Sequence, residues 1–203
     1  FKVQFNRERV DSSGKQQFAN RSIANRAFTV DRQRGVTAQK RIGAPTDRYS
    51  WLYLGLYEGD SRDPRQRGDD PMLMARWQWH FMGEALPFSQ SDYAISENKA
   101  GTLSFAALRV RGPYTRFSSS GGGQLDGFEA GSDDRYTLEQ YVQEFAWRFM
   151  GLSVQQEFHV KHIRDHETGQ RSKLTGGYAS VGKAWPIRLA GRDVPFELAG
   201  RLA

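Results

Sequence analysis

The sequence predicts an all-β fold, an antiparallel transmembrane β-barrel, and three observations carry that expectation. Apolar and polar residues alternate with a period of two over long stretches, as in strands whose two faces meet different surroundings. In "MLMARWQWHF" (72–81), Leu73, Ala75, Trp77, Trp79 and Phe81 share one face, while Met72, Met74, Arg76, Gln78 and His80 share the other. No apolar run approaches the ~18 residues of a membrane helix, because Arg, Asp, Glu or Lys interrupts each one. Finally, long and short connections alternate, as where the strands of a membrane barrel meet in short turns on one side and long loops on the other.

Composition agrees. The 203 residues suit one large domain, the formal net charge is +6, and the absence of cysteine excludes disulfide staples and thiolate metal sites. A mean hydropathy of -0.70 is low for a chain with a large core. Aromatic residues nevertheless make up 13%, a combination that suits a barrel with a wet interior and aromatic girdles. A soluble sandwich uses the same alternation with its aromatic face turned into a core, and is the competing reading.

Taken in order, strands are expected near 1–5, 34–43, 50–58, 72–82, 102–111, 137–149, 152–164, 173–183 and 194–202, about nine in a single domain spanning 1–203. Each of the longer ones approaches the ~10 residues that a tilted strand needs to cross a bilayer. "FKVQFNRERV" opens the chain as an alternating strand rather than as a signal peptide. "EFAWRFM" sets Phe145, Trp147 and Phe149 against Glu144, Ala146 and Arg148; "LSVQQEFHVK" sets Val154, Phe158 and Val160 against Gln155, Glu157, His159 and Lys161. Val194, Phe196, Leu198 and Leu202 oppose Glu197 and Arg201. On this parity Arg76, Arg148, Lys161 and Arg201 line the polar face.

Between the strands lie a long link at 6–33, a very long loop at 112–136, almost nothing at 150–151 and a modest turn at 184–193. The link at 83–101 breaks the alternation: it should be a short turn, and part of it is expected to extend the flanking strands.

Enzyme-like fragments carry little. "GYASVGKA" (177–184) has the lysine of a phosphate-binding loop, but Ala184 stands where Ser or Thr would hold magnesium, and Pro186 follows closely. His159, His162, His166 and Glu167 have spacings that converge on a helix, whereas the pattern here is strand then loop. No GxSxG elbow occurs. The expectation is a protein without catalysis, metal or cofactor.

Arginine is the distinctive chemistry. From 6 to 34, Arg7, Arg9, Lys15, Arg21, Arg26, Arg32 and Arg34 outnumber Glu8, Asp11 and Asp31, with Phe18, Ile23 and Phe28 available as anchors. Charge runs are most often solvated loops. A loop folded into a pore is the sharper reading, with guanidinium groups replacing part of an anion's hydration shell.

"FKVQFNRERVDSSGKQQFANRSIANRAF", "RGPYTRFSSSGGGQLDGFEAG", "YTLEQYVQEFAWRFMGLSVQQEFHVKHI" and "PFELAGRLA" resemble the bacterial phosphate-selective porins of the O and P family. The resemblance implies a homotrimeric channel in the Gram-negative outer membrane, embedded in its lipid and passing inorganic phosphate or other small anions, with no nucleic-acid partner. It places Arg7, Arg9, Arg21 and Arg26 in a constriction loop at 6–33 and makes 112–136 an extracellular loop. Family members are about twice this long, with roughly sixteen strands, so the expectation is a central segment of a longer porin. The alternative from another class is a soluble or surface β-domain that binds acidic polysaccharide through its basic aromatic face.

Overall fold

All the long alternating stretches form strands in the computed structural model, which describes residues 2–203 apart from 13, 15, 45–47, 60–69, 84, 119–120, 130 and 133. Eight strands make one antiparallel sheet: β1(Gly35–Ile42), β2(Tyr49–Tyr57), β3(Met72–Met82), β4(Ala100–Gly112), β7(Tyr136–Phe149), β8(Leu152–Asp165), β9(Arg171–Leu189) and β10(Arg192–Leu202). A separate hairpin, β5(Arg116–Ser118) and β6(Gly121–Gly123), sits in the link between β4 and β7. Described helix is limited to α1(Arg7–Val10) and α2(Ile23–Phe28), and neither is long or apolar enough to cross a membrane. The expected all-β antiparallel architecture is present. The sheet is open, with β1 and β10 as its two edges.

Two expectations about the elements are corrected. The main sheet has eight strands, not nine, because the first segment lies on the sheet instead of joining it. Lys2 makes a single bridge to Arg32, and Val3 and Phe5 are fully buried. Five alternating residues are too few to distinguish a strand from an anchored segment. The stretch at 184–193 is mostly strand: Pro186 and Pro195 face each other, so the two missing N–H groups fall on one rung. Ala190 and Gly191, both at positive φ, then close the hairpin in two residues. Part of the link at 83–101 extends a flanking strand as expected, since β4 begins at Ala100, and residues 85–99 fold against the sheet, as described below.

The two faces of the sheet are opposite in character. One is covered by residues 2–33 and buries Met72, Met74, Arg76, Gln78 and His80 of β3 and Ser153, Gln155, Glu157, His159 and Lys161 of β8. The other is bare: Leu54, Leu56, Leu73, Trp77, Phe105, Tyr141, Phe158, Val181, Trp185, Phe196, Leu198 and Leu202 are exposed along it. Near the end with the two-residue turns, aromatic rings run across the strands on this bare face. Trp79 meets Phe81 at 5.8 Å, Phe81 stacks on Phe145 at 6.0 Å, and Trp185 meets Phe196 at 5.1 Å. Polar residues interrupt it: Lys40 on the edge strand shares a rung with Leu52, Gln143 and Gln156 lie mid-strand, Thr175 is opposite Val160, and Lys183 lies between Leu152 and Leu198 near the end with the two-residue turns.

An apolar core underlies one end of the covered face, where Val3, Phe5 and Val30 pack with Tyr57, Met72, Met74, Leu108, Phe117, Tyr136, Leu138 and Ile163. The rest of that face is polar, and the candidate site lies there.

Candidate functional site

Glu144 and Glu157 are cross-strand partners on β7 and β8, both about 1% exposed. Two carboxylates on one rung repel. The repulsion is offset from the N-terminal segment, whose single helical turn presents its first amides to them. The Arg7 amide donates to Glu144 Oε1 at 2.5 Å, and the Glu8 amide donates to Glu157 Oε1 at 2.7 Å. Asn6 Nδ2 adds a bond to Glu157 Oε2 at 3.0 Å. On the sheet side, Arg76 pairs with Glu144 at 2.5 Å and His159 Nε2 lies 3.1 Å from Glu157.

The rest of the segment is held by the same kind of contact. Ser22 caps α2 by accepting from the Asn25 amide at 3.3 Å. Its own amide and hydroxyl donate to the Glu8 carboxylate at 2.6 and 2.7 Å, tying the two helical turns together. Gln17 Nε2 donates to Ser153 and Glu197, at 3.2 and 2.8 Å. Burial pushes the Glu8 carboxyl above its ordinary value, while the Ser22 bonds pull it down. Burial likewise pulls the Arg7 guanidinium down, opposed by Glu144.

The structure brings some of the sequence-predicted cations together and separates others. Arg7 and Arg76 converge on one ring, their guanidinium carbons 5.1 and 5.8 Å from the centre of Phe88. Arg7 also donates to the Pro87 carbonyl, but its Nε and Nη1 are buried without a hydrogen-bond partner among the described residues. Arg21 donates to the Glu8 and Asp11 carbonyls at 3.2 and 3.1 Å. Arg201 approaches Glu8 at 3.4 Å and sits 4.5 Å over Phe18. Arg9 is neutralised by Asp31 at 2.6 Å, and Lys161 donates to the Ala27 and Thr115 carbonyls at 2.5 and 3.0 Å. Arg26 is exposed, and Arg148 is half-buried beside Ser153.

Sequence reasoning missed two parts of this network. Glu144 and Glu157 have the inward parity of the basic residues, but alternation does not reveal that they anchor a segment more than a hundred residues away. The link at 83–99 supplies Phe88, and its Gln90 Oε1 accepts from the Gln17 amide at 3.1 Å. Ser91 Oγ donates to Glu197 at 2.8 Å, and Asp92 accepts from the Gly151 amide at 2.9 Å. Its length, excessive for a turn, was the only sequence signal.

The structure places the enzyme-like fragments largely on strands. Residues 177–184 lie within β9, and His159 and His162 fall on opposite faces of β8. No group of three or more potential metal ligands occurs among the described residues. The chain matches no family model, no curated protein and no solved structure.

Proposed function

We propose that this chain forms wall and constriction of an outer-membrane porin, a water-filled channel for inorganic phosphate or other small anions. The observation that carries the proposal is the inverted distribution of polarity, with Trp, Phe and Leu exposed on one face and Arg, Glu, His and Lys covered on the other. Burying one Leu or Phe fully is worth ~1.5–3 kcal/mol, so a row of them is not left in water without cause. Along β7 the apolar band runs from Tyr141 to Phe149, close to the ~9–11 residues with which a tilted strand crosses a bilayer.

Closing such a wall in lipid requires strands that satisfy the backbone of β1 and β10, and trimer formation is a further part of the proposal. Buried polar atoms of Arg7, His80 and Gln140 on the covered face that have no partner among the described residues support a hydrated interior. Anion preference is supported by the basic surplus between 6 and 34, and by Arg21 and Arg26, which make no ion pair among the described residues. The ion pairs of Arg9, Arg76 and Arg201 leave Arg7, Arg21, Arg26, Arg148 and Lys161, and because Arg7 and Lys161 are fully buried, selectivity is assigned chiefly to Arg21, Arg26 and Arg148. The resemblance in loop and strand sequences to phosphate-selective porins supports the same reading.

The test is reconstitution in a planar bilayer across a salt gradient. Channels with an anion-favouring reversal potential are expected, shifted toward cations by Arg21→Glu with Arg26→Glu. Dispersion in buffer without detergent would favour the surface polysaccharide-binding alternative.

A further inference from the structure

Above the apolar band, on the same bare face, the side chains change to cations. The rung that contains Arg109 continues through Glu139 and His162 to Lys173, and the next runs from Arg111 through Thr137 and Arg164 to Arg171. Arg164 and Arg171 thus face each other directly across β8 and β9, with Lys173 opposite His162 on the neighbouring rung. Like charges on one rung destabilise a sheet unless something neutralises them. Glu139 lies 3.8 Å from Arg109 and Asp134 lies 2.9 Å from Arg111, so the nearby acids are engaged on β4. Arg164, Arg171 and Lys173 are exposed and have no acidic partner among the described residues. A shallow pocket of about 270 Å³ opens at this spot, lined by Arg109, Glu139, His162, Arg164, His166 and Arg171. Tyr141, the last exposed ring of the apolar band, meets His162 edge-on at 6.3 Å.

We propose that Arg164, Arg171 and Lys173, flanked by Arg109 and His162, bind the phosphate groups of a phosphorylated lipid whose acyl chains lie on the bare face below. The inference rests on the membrane-barrel reading above and adds a lipid site outside the channel. Its chemistry follows from position. The cations begin one rung beyond the apolar band, where headgroups replace hydrocarbon, and guanidinium forks contact phosphate oxygens in pairs. A free anion would gain nothing from the adjoining Tyr141, Phe158 and Val160, whereas a lipid covers both surfaces at once.

Purified protein in detergent is mixed with diphosphorylated lipid A or its dephosphorylated form, and retained lipid is counted by native mass spectrometry. The phosphorylated form is expected to be retained at least about tenfold better. That preference should disappear in Arg164→Gln/Arg171→Gln/Lys173→Gln and persist in Arg188→Gln/Arg192→Gln, which removes exposed charge at the other end of the sheet. Equal retention of the two lipids by the unmodified protein overturns the inference without recourse to any variant. Displacement by millimolar inorganic phosphate, with no lipid preference, assigns the cluster to a free anion and also overturns it. Both outcomes leave the barrel reading standing, whereas a protein that disperses without detergent removes both.

Discussion

Glu144 and Glu157 face each other across β7 and β8, and each accepts a backbone amide from the same helical turn, Arg7 for one and Glu8 for the other. A like-charged rung of the sheet is thereby converted into a docking point for the N-terminal segment. Removing either carboxylate should release more than its own contact. In Glu144→Ala the Arg76 guanidinium is left buried without its anion, a change expected to cost about 3–5 kcal/mol. Urea unfolding in detergent micelles measures it, and a loss below about 1 kcal/mol would show that water already compensates Arg76.

Docking of the segment is expected to depend on Glu157 separately. In Glu157→Ala the Glu8 amide and the Asn6 side chain lose their acceptor, so trypsin should cut after Arg9 and Arg21 faster than in the unmodified protein. Unchanged cleavage would place the holding energy in the Val3, Phe5 and Phe28 contacts.

Glu8 makes docking sensitive to pH, and the sign follows from its environment. Burial raises its folded-state pKa above the ordinary 4.5. Between those two values the folded state binds more protons than the unfolded state, so stability falls as pH rises through that window and levels off above it. Glu8→Gln removes this contribution. Melting temperatures of the two proteins should therefore diverge in slope as pH rises from 4.5 through the raised folded-state value, and parallel curves would show that Arg201 and Ser22 fully compensate the charge.

In the turn formed by Met150 and Gly151, position 151 has no room for a side chain. A Cβ on Gly151, at φ +78°, would lie 2.2 Å from the Ala184 carbonyl oxygen. Gly151→Ala is expected to lower stability by about 1–3 kcal/mol through backbone strain and displacement of β9. An unshifted urea midpoint would mean that the hairpin relaxes freely.

Trp77, between Trp79 and Phe105 on the bare face, tests the inverted distribution directly. Trp77→Arg should reduce folding into liposomes by about 2–4 kcal/mol if this face meets lipid. In a water-facing sheet the same change would be neutral or improve solubility.

Residue spacing alone distinguishes the two faces of each long strand. The side-chain period of a strand is two whatever the strand pairs with, so Trp77, Trp79, Phe145, Trp147 and Phe158 could be set opposite Arg76, Gln78, Glu144, Glu157 and Lys161 from spacing alone. Only the tertiary structure decided what covers the polar face and which charges meet there. The Arg7 amide and Glu144 are 137 residues apart, and the Glu8 amide and Glu157 are 149 apart. No local pattern encodes such pairings, because they depend on how a one-turn helix, a proline-containing link and two strands come together. For the same reason the density of arginine between 6 and 34 was legible, but not that Asp31 neutralises Arg9 while Arg26 remains exposed. Composition gives the charge of a segment, and only packing assigns each charge its partner.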